Sequence, residues 1–297
     1  MPQVPAILSV DLEFFQHSPA YRKAAGTTTT EALGRNGISI LLDAYDTVDA
    51  RGTFFIVSDI VDEHSELINN IVTAGHEIAS HTHTHRHLSR LPESDQRAEL
   101  INSKERLEDA TGIPIEGFRA PSFDVPQNHF ELLSEAGYTY DSSIVPCRTI
   151  PGWYGGEFKT RKPSPATVIN KEAPPELTEV PIGIMPWLRL PLTGTWIRFF
   201  GVRYTLLGMK LLARRGIPPV LYVHPWELID LPKIKGIPKR IYIRSGKYMR
   251  RAMKRILTSS FEFVTIRSLI TKTQEYSASE KKTRPDIDRE SNTKTKQ

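Results

Sequence analysis

The sequence predicts a single irregular (β/α) barrel, and two observations carry that expectation. Apolar runs of strand length alternate with helix-patterned segments that end at glycine, repeating about every 25–35 residues as βαβ units do. Polar signatures then follow the apolar runs, at the C-terminal ends of several separate strands. A barrel gathers such ends on one face, where active sites of that architecture sit; an open doubly wound sheet would spread them along an edge.

Residues 6–13 open the pattern with an apolar run that reads as a strand covered on both faces. Residues 16–35, polar and rich in Gly and Thr, read as a loop. A helix follows over 37–50, with Ile38, Leu41, Leu42 and Tyr45 at helical spacing. Residues 52–57 form the second strand and 59–74 an amphipathic helix, closed by Gly75 as a left-handed cap. The third strand spans 76–81. A long helix from Leu91 to Thr111 stops at Gly112, and residues 117–123 form a strand ending in a proline break. A helix over 126–136 and a short strand over 137–143 follow. Residues 144–218, with many prolines and few clear periods, read as a variable insert holding a strand near 179–182 and a helix over 204–214. Residues 220–224 are the late strand, 246–257 a basic helix and 261–266 the closing strand. This makes 1–275 one domain, and 276–297, almost without apolar residues, a disordered charged tail.

With 39% hydrophobic residues the chain can bury a full core, and no run approaches the roughly 20 apolar residues of a membrane span. The start, MPQVPAILSVDLE, lacks the basic and long apolar regions of a secretory signal. The single cysteine, Cys147, excludes an internal disulfide framework. A cytoplasmic location follows as the expectation. Net charge is +5, and ten Lys and Arg fall between Lys233 and Arg255 with no acid among them. Such a run either contacts a membrane surface or phosphorylated partner, which would hold the protein at the inner membrane face, or is the solvated face of a barrel helix. No aromatic–basic interleaving or recognition motif accompanies it, so nucleic acid is not expected.

The stretch His76–Ser89, HEIASHTHTHRHLS, releases histidines at every second position after a short strand. His81 and His85 are four apart, so one turn can bring both imidazoles to a point, and neutral imidazole is the commonest ligand for a metal such as zinc. A site that leaves room for substrate takes about three protein ligands. The comparable acids on a strand end are Asp11 and Glu13, spaced i, i+2 and therefore on one face. Two acids after an apolar strand are costly to bury unless partnered.

Four segments in order, Val10-Asp11-Leu12-Glu13, His81-Thr82-His83-Thr84-His85, Arg119-Ala120-Pro121 and Leu221-Tyr222-Val223-His224, resemble the signatures of polysaccharide deacetylases of the NodB-homology type, carbohydrate esterase family 4. The resemblance covers most of residues 6–270. Asp141-Ser142-Ser143, Gly194–Arg198 and His224–Glu227 resemble segments recurring in deacetylases of exopolysaccharide clusters. It implies a metal-dependent hydrolase that removes N-acetyl groups from an amino sugar in a polysaccharide or lipid-linked glycan. The ligands it implies are Glu13, His81 and His85, around a divalent metal: zinc, or Co2+ or another ion. Asp11 would be the general base, paired with Arg119, and His224 the acid that protonates the departing amine. The N–H of Ser122 would complete an oxyanion site, Asp141 would hold His224 charged, and Trp226 would contact substrate.

The chain departs from that pattern in two places. Its first motif is Asp-x-Glu followed by Phe14 where relatives of that form place another Asp, and Ser122-Phe123 stands where Tyr-Gly is common. Relatives of this type include enzymes of other C–N bonds, such as the ring amide of allantoin, some of them metal-free, and an inactive carbohydrate-binding relative is the third reading. The intact Glu13, His81 and His85 set argues against a metal-free version, and the presence of Asp11 and His224 argues against an inactive one. His83 and His87 read as supporting or exposed, His76 as structural, and His17, His64 and His129 as surface residues. Trp187, Trp196 and Trp226 stack on sugar or form local core.

Overall fold

Alternation along the first strand sets the architecture. In β1, Val4–Leu12, the residues Leu8, Val10 and Leu12 pack with Ile38, Leu41 and Tyr45 of helix α2, Ala32–Asp46. Ile7 instead packs with Phe55, Ala79, Val180 and Tyr222 in a second apolar cluster. Successive side chains leave a strand on opposite faces. Even positions therefore meet the helices, while Ile7, Ser9 and Asp11 face the inside of a curled sheet. The structure, a computed structural model, describes residues 4–24, 32–151 and 153–283.

Around β1 lie β2 (Thr53–Ile56), β3 (Glu77–Ser80), β4 (Gly117–Phe118), β5 (Tyr140–Asp141), β6 (Ser164–Pro165), β7 (Thr178–Glu179) and β8 (Val220–Val223). Their order is β6–β7–β5–β4–β3–β2–β1–β8, parallel throughout except for β6. β9, Phe261–Phe263, pairs with the start of β1. Beyond β7 the chain reaches β8: Gly183 N–H donates to Val220 O at 2.7 Å, and Thr193 bridges to Tyr222. The sheet thus curls into the expected irregular barrel.

Register then levels the rim. Leu12 pairs with Ile56, Ile56 with Ser80, Ser80 with Phe118 and Phe118 with Asp141. The next residue of each strand, among them Glu13, His81, Arg119 and Ser142, accordingly emerges at one height. On β8, Val223 pairs with Val10, which brings His224 level with Asp11.

Helices α3 (Ser65–Thr73), α4 (Glu93–Thr111), α5 (His129–Glu135), α6 (Gly194–Phe200), α7 (Val202–Ala213) and α8 (Lys247–Leu257) complete the layer. α4 ends at Gly112, with φ of 67°, as its sequence predicts. Several boundaries differ from expectation. The 59–74 helix is split, a 3-10 turn over Ser58–Ile60 preceding α3. The expected 16–35 loop contains helix α1, Pro19–Ala24; residues 25–31 lie outside the described residues. The closing strand ends at Phe263, and α9, Ile266–Thr283, runs into the segment expected as a tail. Residues 284–297 of that segment lie outside the described residues.

Candidate active site

Glu13, His81 and His85 are buried together, with one ligand atom from each lying within 4.8 Å of the others. Glu13 follows β1 and His81 follows β3, while His85 is brought back by a turn in which Thr82 and His85 have positive φ, 65° and 56°. Thr82 Oγ1 accepts the His85 N–H, and Glu99 of α4 accepts the His83 and Thr84 N–H groups at 2.9 and 2.8 Å. Arg22 of α1 donates to the carbonyls of Thr84 and His85 from the other side. The loop is therefore held by side chains, which keeps both imidazoles in place.

These residues suit a cation. His81 Nδ1–H donates to Arg119 O at 2.7 Å, which fixes the tautomer and leaves the Nε2 lone pair free to ligate. Burial lowers His81 to about 4, against the attraction of Asp11, so the ring is neutral at pH 7. Glu13 Oε2 is buried, lacks a hydrogen-bond partner and lies 2.5 Å from His85 Nε2. The two atoms are close enough to share a proton, and a cation taking its place would be held by both. Burial would raise the Glu13 pKa, but His85, His224 and His81 outweigh it and hold the carboxylate well below its usual range. Trp226 Nε1–H donates to the other oxygen, Glu13 Oε1, at 3.2 Å.

Asp11 sits one step inward and meets Arg119 at 2.5 Å. Arg119 is completely buried, and every donor nitrogen is engaged: Nη1 also reaches Ser9 Oγ, Nη2 reaches Ser142 Oγ, and Nε reaches Ser142 O. Its guanidinium lies 3.9 Å from the centre of the Phe55 ring. After Arg119 the chain turns through Pro121 to Ser122 and Phe123, both with positive φ, 56° and 58°. Such backbone is rare for residues with a side chain and marks a constrained turn. Ser143 Oγ accepts the Ala120 N–H at 2.8 Å and supports it from behind.

His224 approaches from β8, with Nε2 3.7 Å from Glu13 Oε1. Its partner corrects the expectation. Asp141 is fully buried and binds His129 Nε2–H at 2.9 Å and Ser143 Oγ at 2.5 Å. Glu227 holds His224 instead, accepting its backbone N–H at 3.0 Å, with Nδ1 at 3.4 Å. Arg198 of α6, itself buried, anchors Glu227 at 2.8 Å and donates to Ile241 O at 2.7 Å. Burial alone would lower the His224 pKa, but the Glu227 hydrogen bond and the charges of Glu13 and Glu227 lift it to about 9.

Glu227 and Arg198 belong to the segments His224–Glu227 and Gly194–Arg198, whose resemblance implies no role for either. The available signal was a lone charge within an apolar run, Trp226-Glu227-Leu228 and Ile197-Arg198-Phe199, which must find a partner if buried. Two histidines expected at the surface are buried: His129 on Asp141, and His17, which accepts the Phe14 N–H and lies 3.3 Å from Asp59. His64 is half-buried. His83 bonds Ser58 Oγ at 2.9 Å, and buried His76 accepts the Gly52 N–H. Trp226 stacks on His224 with ring centres 4.8 Å apart, Trp196 is mostly buried and Trp187 is 70% exposed.

Asp11, Glu13, His81, His85, Ser122, His224 and Trp226 all line one cavity of about 720 Å³, whose outer wall includes Trp153, Tyr154, Phe199 and Arg240. Asp141 and Arg119 stand behind that wall. The arrangement offers a cation site, a carboxylate beside it and an imidazolium opposite.

Residues 32–140 match the family model for polysaccharide deacetylases, and residues 142–271 match a domain of unknown function. The first segment holds His81, His85 and Arg119; His224 falls in the second. The chain is similar to a peptidoglycan deacetylase of Helicobacter pylori, 30% identical over 112 residues, which is 38% of each protein. The chain thus spans well under half of that curated relative. A Mycobacterium smegmatis chain assigned as a polysaccharide deacetylase superposes with a TM-score of 0.62 at 21% identity, over 98% of this chain and all of the other. An allantoinase superposes with a TM-score of 0.64 at 15% identity, over 93% and 94%. Both likenesses are of fold.

Proposed function

We propose, from the match of residues 32–140 to polysaccharide deacetylases, that this chain hydrolyses the N-acetyl group of an amino sugar within a polysaccharide or lipid-linked glycan. One observation supports this above the others. A buried ligand triad, a carboxylate clamped by arginine and a histidine charged by its neighbours converge on one cavity.

Glu13, His81 and His85 would hold a divalent cation, zinc by the nitrogen and oxygen donors, with cobalt or another divalent ion as the alternative. When bound it supplies Lewis acidity toward the acetyl carbonyl and lowers the pKa of a water. Asp11 takes the proton of the attacking water, and Arg119 keeps that carboxylate aimed into the cavity. The Ser122 N–H is the donor assigned to the carbonyl oxygen as charge develops there. His224 gives its proton to the nitrogen as the C–N bond breaks, which an amine leaving group needs. Glu227 keeps that imidazole oriented and charged, and Trp226 covers the ring and borders the sugar. The products are acetate and a free amino sugar.

We place the protein in the cytoplasm on the strength of its one cysteine, Cys147, which is buried. No described helix is long and apolar enough to cross a membrane. The test of the activity is acetate release from a panel of N-acetylated oligosaccharides and lipid-linked sugars, after chelation and again after restoring zinc. Release that is lost and then restored is expected. Hydrolysis of allantoin with no acetate from any N-acetyl sugar would overturn the assignment.

A further inference from the structure

Charge is unevenly divided along this chain. Residues 180–257 hold sixteen of its 39 Lys and Arg but only two of its 34 Asp and Glu. Both of those acids are engaged: Glu227 is buried on Arg198 and His224, and Asp230 lies 3.5 Å from Arg250. The rest of the molecule is net acidic, so the overall +5 conceals a local cationic surface.

That surface has a defined shape. On α7 and its C-cap the exposed residues Arg203, Leu207, Lys210 and Arg214 recur every three or four positions and form one stripe. On α8 the exposed Lys247, Arg251 and Lys254 form another, and the two helices pack together through buried residues such as Met209 and Met253. Where α7 and α8 begin, segments bearing exposed apolar groups adjoin them: Phe200 packs on Tyr204 of α7, and Arg244 lies over Tyr248 of α8. Phe199 lines the cavity, whereas the adjoining Phe200 is 51% exposed; Ile241 lines it, whereas Ile243 is 43% exposed. Arg244 ties the two segments by donating to Phe199 O at 3.3 Å. Trp153, also at the mouth and partly exposed, lies beneath Arg240.

A solvated helix face explains the cations but not three large apolar side chains left among them. Nucleic acid would use the cations and gain nothing from Leu207 or Ile243. An interface between anionic headgroups and acyl chains takes both, with charge at headgroup level and apolar tips below it. We propose that this surface docks the protein on an anionic lipid bilayer, with Phe200, Ile243 and Leu207 entering the interface and the cavity mouth at the membrane edge. The proposal deepens the deacetylase reading, on which it rests for the substrate: an N-acetylated sugar carried on a lipid.

The experiment is flotation of the full chain with phosphatidylcholine vesicles, with and without phosphatidylglycerol, at physiological salt. Binding is expected only to the vesicles containing phosphatidylglycerol. Phe200→Ser with Ile243→Ser should weaken it at least about tenfold, as should Lys210→Glu with Lys247→Glu, each variant first shown to melt as the parent does. Arg97→Glu with Arg106→Glu, on α4, should leave it unchanged. No binding, binding that survives the apolar double substitution, or a tighter affinity for an oligonucleotide would each overturn the docking surface. Acetate release from the panel of N-acetylated oligosaccharides and detergent-dispersed lipid-linked sugars is followed in parallel. Its absence with vesicle binding intact removes the deacetylase reading alone; its presence without vesicle binding removes the docking surface alone.

Discussion

His224 owes its orientation to Glu227, and the pair owes its burial to Arg198. Glu227→Gln should therefore keep any bound metal but lower the rate on amides, because the ring loses the charge that holds its proton. His224→Ala should cost about 10²–10⁴-fold on an N-acetyl sugar and far less on an activated aryl acetate, whose leaving group needs no proton. Parallel kinetics on the two substrates check this; equal losses would take His224 out of the acid role. Arg198→Met strands a buried carboxylate and should destabilise the fold by about 3–5 kcal/mol in urea titration. His81→Ala should abolish zinc retention, measured by metal analysis after gel filtration, whereas His83→Ala, whose ring bonds Ser58, should retain it. The ligand set was legible because strand alternation and a four-residue spacing are local properties. The Asp141 assignment failed for the opposite reason: nothing near Asp141 in sequence announces that His129 reaches it across a helix start.

At the start of β3, His76 packs its ring against Tyr45 and Phe54 and accepts a backbone N–H from Gly52. Burial, helped by Arg51, lowers its pKa to about 4, against about 6.5 in an unfolded chain. The unfolded state binds the proton first, so the stabilisation is complete above pH 6.5 and is lost as pH falls toward 4. His81 contributes in the same direction, and a His76→Gln variant separates them. The urea midpoints of wild type and variant should converge as pH drops through this window; parallel curves would refute the assignment. Two helices escaped the sequence pattern for reasons of length and amphipathicity. α1 is one short helix, and its signal was the cap Ser18, whose Oγ accepts the Tyr21 N–H, followed by Pro19. α9 begins with a similar cap, Thr265, but among its described side chains the buried ones, Ile266 and Leu269, lie in its first turns, so the polar sequence beyond resembles a tail.

The whole molecule is closed by contacts between distant parts of the chain. A cation on Glu13, His81 and His85 would join the ends of β1 and β3, so zinc at about 100 times its Kd should add about 2.7 kcal/mol of stability. Differential scanning should show Tm rising with zinc in the wild type but not in Glu13→Ala. The barrel and its rim could be anticipated because each strand end carries its own polar mark. The closure could not, since it depends on Gly183 and Thr193 in a segment without periodicity. Closure also imposes an order on synthesis. Ser9 Oγ donates to Leu221 O across 212 residues, and at about 5–20 residues per second the ribosome delivers β8 some 10–40 s after β1. Until then β1 has one bare edge, and Asp11 waits for Arg119 with its charge still hydrated. The newborn chain is an open sheet with an adhesive margin, which shortens when the strand bearing His224 leaves the exit tunnel and is covered in full once β9 pairs with the start of β1.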